Sequence, residues 1–207
     1  MKNNRGERPA QPALIIRFHL TDGSVQTFVQ NDRAGAEKIW DSVDPSRLFA
    51  RPRIVIGSEH SKTVFVSAEI VRVDFIQEAF TCWEFPGGYA DIVELSEEEF
   101  HRHARFDEPE LMPKREEPAV AGDLRVSFIR LKMRSGQPQY VMVEAPVKLP
   151  IESQSFMQFL LSKGSIHMRL RGGGTSVLNL ANLVAYTAYP GIPQIPADSW
   201  IAEPTNL

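Results

Sequence analysis

The chain has one cysteine, Cys82, in 207 residues. A single thiol forms no internal disulfide, so the fold must rest on burial and hydrogen bonding, and nothing points to an oxidising compartment. Cys82 has no His or Lys beside it in sequence to activate it, and it reads as an inert, buried thiol. No apolar run approaches the ~20 residues of a membrane-spanning helix. The opening MKNNRGERPAQPA lacks the apolar stretch of a secretion signal. The glycine patterns GxGxxG and GxxxxGK, the nucleophile turn GxSxG and the zinc motif HExxH are all missing. His101 and His103 stand two apart in a helical stretch, which points them in different directions. These absences lead to the expectation of a cytoplasmic protein with no membrane segment, no metal, no cofactor and no catalytic residue set, leaning away from an enzyme.

The apolar fraction of 43% is ordinary for a globular protein and suffices for a sizeable core. The main internal signal is a match of the chain to itself at an offset of 113 residues, 14–75 lying on 127–188 without a gap. Arg17 falls on Arg130, Gly23 on Gly136, Gln26 on Gln139 and Ala68 on Ala181. The apolar register agrees as well, with Ile16 over Ile129, Phe18 over Leu131 and Ile70 over Leu183. Buried positions and turn glycines in step imply one folding pattern used twice.

ALIIRFHL, the turn Thr21-Asp22-Gly23-Ser24 and VQTFVQ predict a β-hairpin. Residues 34–49 follow with helical spacing that Pro45 interrupts, predicting a short or broken helix. RIVIG and TVFVSAEIVRVDFI predict a second hairpin whose last run bends or splits near Ser67 and Ala68. The later half repeats this order, with a helix over residues 151–162 that carries Phe156 and Leu160 inward. The fold class expected is α+β: a tandem duplication of a ββαββ unit, with antiparallel sheets and one helix per copy, joined by a small β/helix connector. The boundaries are 1–12 for a flexible arm, 13–78 for the first copy, 79–122 for the connector, 123–190 for the second copy and 191–207 for a proline-rich arm. In the connector, Pro86-Gly87-Gly88 predicts a turn between two short strands, and Ser96 with Glu99 forms a capping box that opens a helix.

Charge separates these parts. The connector 79–122 sums to −7 and the second copy 123–190 to +5 within a chain of net −3. Strand alternation puts Arg130, Lys132 and Arg134 on one face, and His167, Arg169 and Arg171 on another. In one sheet these six would line a common basic face, suited to a polyanion or to an acidic segment such as the one holding Glu97, Glu98, Glu99, Glu108 and Glu110. The ungapped offset sets them against Arg17, His19 and Thr21, and against Ile54, Ile56 and Ser58, so the first copy lacks the face. Trp83, Phe85 and Tyr89 surround the Pro86–Gly88 turn and suit an aromatic contact tip, or a cover over the junction between the copies.

The function these features favour is a non-enzymatic binding or assembly protein, partnered by another protein or by itself. The alternatives are a nucleic-acid-binding regulator using the basic face, and an enzyme with its site between the copies.

Overall fold

The computed structural model describes residues 11–104, 124–146, 160, 162–189, 200 and 202. The strands are β1 (Leu14–Leu20), β2 (Val25–Gln30), β3 (Arg53–Gly57), β4 (Lys62–Val66), β5 (Ile70–Ile76), β6 (Asp91–Leu95), β7 (Leu124–Met133), β8 (Pro138–Pro146), β9 (Ser165–Arg169), β10 (Thr175–Asn179) and β11 (Leu183–Tyr189). Among the described residues there are two α-helices, α1 (Arg33–Ser42) and α2 (Glu97–Ala104). None is long and apolar enough to cross a membrane.

Local chemistry explains the boundaries. Gly23 and Gly136 close the β1–β2 and β7–β8 turns, each with φ of 83°, a left-handed conformation open to glycine. The Asp32 carboxylate caps α1 by accepting the Gly35 N–H at 2.7 Å. The helix stops at Ser42 ahead of Pro45, and the chain resumes as a 3₁₀ turn at Leu48–Ala50. Short 3₁₀ turns at Ser67–Glu69, the break predicted near Ser67 and Ala68, and at Leu180–Asn182 separate β4 from β5 and β10 from β11. The capping box is present: Ser96 Oγ accepts the Glu99 N–H at 3.1 Å, and Glu99 Oε2 accepts the Ser96 N–H at 2.9 Å.

The architecture is a mixed α+β fold whose centre is one nine-stranded sheet, ordered β11-β7-β8-β6-β9-β10-β5-β1-β2, with β3 and β4 paired separately. This corrects the expectation of antiparallel sheets, because both halves share one sheet that is mixed. The β9–β10 hairpin lies beside β5 of the first half, and β6 fills the gap between β8 and β9, running parallel to β9. Among its described residues the connector supplies a single strand, and Pro86–Gly88 is a 3₁₀ turn leading into it. Sharing one sheet gives hydrogen-bonded neighbours to strand edges that would otherwise be open. The helix predicted over 151–162 lies outside the described residues except for Leu160, which is helical and buried, and Ser162. Phe156, Glu108 and Glu110 also lie outside them, as do both arms apart from a few residues.

Several pairings recur at the 113-residue offset. Ile16 faces Phe28 as Ile129 faces Val141, and Arg17 faces Asp74 as Arg130 faces Thr187. The second hairpins break the offset. Ile54 pairs with Phe65, whereas Ile166 pairs with Leu178, so β9 is displaced by one residue. The turn accounts for it: residues 170–174 join β9 to β10, against 58–61 between β3 and β4. In structure Ile54 and Ile56 correspond to Ile166 and Met168, which corrects the match to His167 and Arg169. A one-residue slip inverts every side chain in a strand.

Two large clusters form the core. One joins Leu14, Ile16, Phe18, Trp40, Phe65, Val73, Phe75 and Val177, with Val43 and Leu48 packed half-buried against it. The other joins Ile92, Ile129, Leu131, Val141, Leu160, Ile166, Met168 and Leu178. Neighbouring residues of β10, Val177 and Leu178, belong to different clusters, as do Ile70 and Val71 of β5, so these two paired strands form the shared wall.

Candidate functional site

The six basic residues do not share a face. β7 and β9 are separated by β8 and β6 in the sheet. Arg130 and Lys132 are exposed on β7 and line a shallow cavity of about 430 Å³ with Pro138 and Tyr186. Arg134 is exposed just past β7. His167 is buried, its ring stacked on Phe85 at 5.0 Å and its Nε2 bonded to the Trp83 carbonyl at 3.2 Å. Burial holds its pKa below the usual histidine value. Arg169 Nε donates to Asp91 at 2.8 Å, and Arg171 pairs with Glu99 at 2.9 Å. Connector carboxylates therefore occupy two of the six.

The three aromatics pack inward. Trp83 stacks on Trp40 with ring centres 3.9 Å apart, and its edge meets Phe75. Tyr89 is buried in the second core, and that burial pushes its hydroxyl pKa up to about 12. Phe85 packs against the same core through His167. The connector aromatics fill the seam between the two halves instead of forming a solvent-facing tip. Cys82 is half-buried near Thr175, and burial raises its pKa, which suppresses the reactive thiolate.

A buried ionic network stands where both halves meet. Arg72 Nε donates to Asp74 Oδ1 at 2.5 Å and Arg72 Nη2 to Asp74 Oδ2 at 3.0 Å. Arg72 Nη1 reaches Glu94 of β6 at 2.6 Å and Gln139 of β8 at 2.5 Å. His19 of β1 pairs with Asp74 Oδ2 at 2.8 Å. Burial pushes the Asp74 carboxyl up, but hydrogen bonds from His19 and Arg72 outweigh it and hold the pKa at about 2. Asp74 thus ties β1 to β5 through both its oxygens, and Arg72 carries the network on to β6 and β8. Across the strand pair, Ser176 faces Asp74, and its buried hydroxyl has no hydrogen-bond partner among the described residues. Reading the sequence for sites overlooked this network. Its signal is the run IVRVDFI, where opposite charges two apart share one face of an otherwise apolar strand.

A cavity of about 690 Å³ lies between β3, the end of α1 and the β1–β5 face of the sheet. Its floor includes Phe18, Val73 and Phe75, and its walls Ile39 and Ile54. The Asp44–Arg47 turn and the following 3₁₀ turn bring Arg47, Arg51 and Arg53 to its rim, all exposed. Among the described residues, no group of three or more His, Cys, Asp or Glu side chains is placed to hold a metal ion.

Compared with protein-family models, curated proteins and solved structures, the chain matches none.

Proposed function

We infer that this chain is a non-enzymatic binding and assembly protein, built from one ββαββ unit used twice, and that it associates by strand addition at β2. The observation that carries the reading is the outer edge of β2. This strand ends the nine-stranded sheet, so its outer edge has no strand partner among the described residues. Its sequence VQTFVQ has no charge and no proline, the usual protections of an open edge. Val25 and Val29 are 49% and 58% exposed on one face of it. Such an edge offers backbone hydrogen bonds to an incoming strand and side-chain contacts for selectivity.

The partner is a second copy of the chain. Run antiparallel about Thr27, the segment complements itself: Val25 meets Val29 and Gln26 meets Phe28 of the other copy. A two-fold contact of this kind closes on itself, whereas joining β2 to the opposite edge, β11, would give an open chain of subunits. Support for the repeated unit comes from the pairings that recur at the 113-residue offset, with a bulge near Leu20 repeated near Leu183.

Sedimentation equilibrium up to about 100 μM, a range that detects weak dimers, tests the reading. The intact chain is expected to dimerise. The exposed double substitution Thr27→Lys with Val29→Lys is expected to give a monomer with an unchanged unfolding midpoint. A chain monomeric throughout, a dimer indifferent to the lysines, or assemblies growing beyond dimers would overturn the β2–β2 contact.

A further inference from the structure

We propose that the cavity beneath β3 is a binding site for a free, single-chain amphiphilic carboxylate, such as a medium-chain fatty acid. Its volume, about 690 Å³, falls in the ~300–1,000 Å³ range of small-molecule sites. Its depths are apolar: Phe18, Val73 and Phe75 below, Ile39 and Ile54 at the sides. Such a lining favours an aliphatic body and penalises buried polar groups that find no partner.

The rim specifies the other end of the ligand. Arg47, Arg51 and Arg53 crowd around the mouth, and none has an ion-pair partner among the described residues. The carboxylate that shares the rim, Asp44, is already engaged, accepting the Ser46 N–H at 2.9 Å and the Ser46 hydroxyl at 2.6 Å. Arg47 also lies close enough to Asp44 to help hold that carboxyl below its usual range, and each of the three guanidinium groups presents paired donors that match a carboxylate. Apolar depth and cationic mouth together select a molecule with an aliphatic tail and one acidic head. The site is separate from the β2 edge, and its test does not depend on assembly.

The experiment is calorimetric titration of the full chain with monomeric decanoate, alongside decanol, with methyl NMR to locate the ligand. Decanoate is expected to bind with micromolar affinity, to shift the Ile39, Ile54 and Val73 methyls, and to bind more weakly as salt rises. Arg47→Ala, Arg51→Ala and Arg53→Ala together are expected to weaken decanoate at least ~10-fold, by the loss of charge-assisted hydrogen bonds. Decanol should bind the two proteins alike. These arginines are exposed, so an unchanged unfolding midpoint is the check on folding. No binding up to about 1 mM, below any useful affinity, overturns the proposal. So does equal affinity in the triple variant, or methyl shifts away from the cavity. Neutral phospholipid vesicles with and without added decanoic acid form the last arm. Binding to acid-loaded vesicles without binding to the free acid would place the acid in a bilayer and overturn the proposal.

Discussion

Arg72 grips Asp74 through both carboxylate oxygens, at 2.5 and 3.0 Å, from two residues away on the same strand. The pair is buried, and the guanidinium continues to Glu94 and Gln139, so one side chain ties β5 to β6 and β8. Arg72→Leu strands Asp74 with His19 alone and is expected to cost about 3–5 kcal/mol, the penalty for breaking a buried pair from one side. Replacing Arg72 and Asp74 together by leucine should cost less than Arg72→Leu alone. Urea unfolding of the two variants measures the difference.

Gly174 offers a sharper steric test. Its φ is 93°, and a Cβ there would run into the Phe75 carbonyl oxygen and come within 2.8 Å of Ile76 Cα. Both obstacles are backbone and cannot swing aside. Gly174→Ala is expected to cost more than about 2 kcal/mol, since the substitution meets both strain and overlap. Gly172, two residues earlier, has open space around it, and Gly172→Ala should stay within about 0.5 kcal/mol of the parent. Comparable midpoints for the two variants would contradict the close approach of this turn to β5.

Acid should destabilise the fold in two stages. His167 has a pKa held below 6.5 by burial, so the unfolded chain takes up its proton first. Stability from this group is complete above about pH 6.5, the unfolded value, and falls as pH drops toward the folded pKa. Asp74 has its pKa lowered from 3.8 to about 2, so its contribution is complete above the unfolded value and is lost as pH falls between the two. The second loss amounts to about 2 kcal/mol by proton linkage. Unfolding midpoints across pH 2–8 read both stages, and His167→Gln should remove the upper one.

The α2 cap predicts a smaller, local effect. Ser96→Ala removes the acceptor for the Glu99 N–H and is expected to cost about 1 kcal/mol. Glu99 also pairs with half-exposed Arg171, a solvent-facing interaction that salt screens. Glu99→Gln should therefore lower stability slightly at low salt and negligibly at high salt, as thermal melts at two ionic strengths can show.

Short-range features were the legible part of this fold. Hairpin turns follow from Asp22-Gly23 and Ser135-Gly136, the α2 start from Ser96 and Glu99, and the α1 stop from Pro45. Each depends on residues within a few positions, whose backbone preferences act before any distant contact forms. The basic face failed at longer range. Alternation placed His167 with Arg169 on β9 as drawn, but it carried no information about what lies above the strand. Trp83 and Phe85 cover His167, while Asp91 and Glu99 meet the arginines at the rim. The β3 cavity was equally hidden, because Arg47, Arg51 and Arg53 gain meaning only from the apolar space between them.

By itself the sequence determined most of the strands, the hairpin turns, the α2 cap and the apolar positions that recur at the 113-residue offset. Periodicity and turn chemistry are local properties of the chain, and they decide which side of a strand is buried. Only the tertiary structure decided that β10 pairs with β5, that β6 lies between β8 and β9, and that Arg72 joins Asp74 to Glu94 and Gln139. Strand order is chosen by competition among open edges and by packing of distant apolar faces, and a one-residue change in a turn reverses a whole strand. The buried network follows from that choice, because its members stand as far as 120 positions apart along the chain, from His19 to Gln139, and share charge only once the sheet has closed around them.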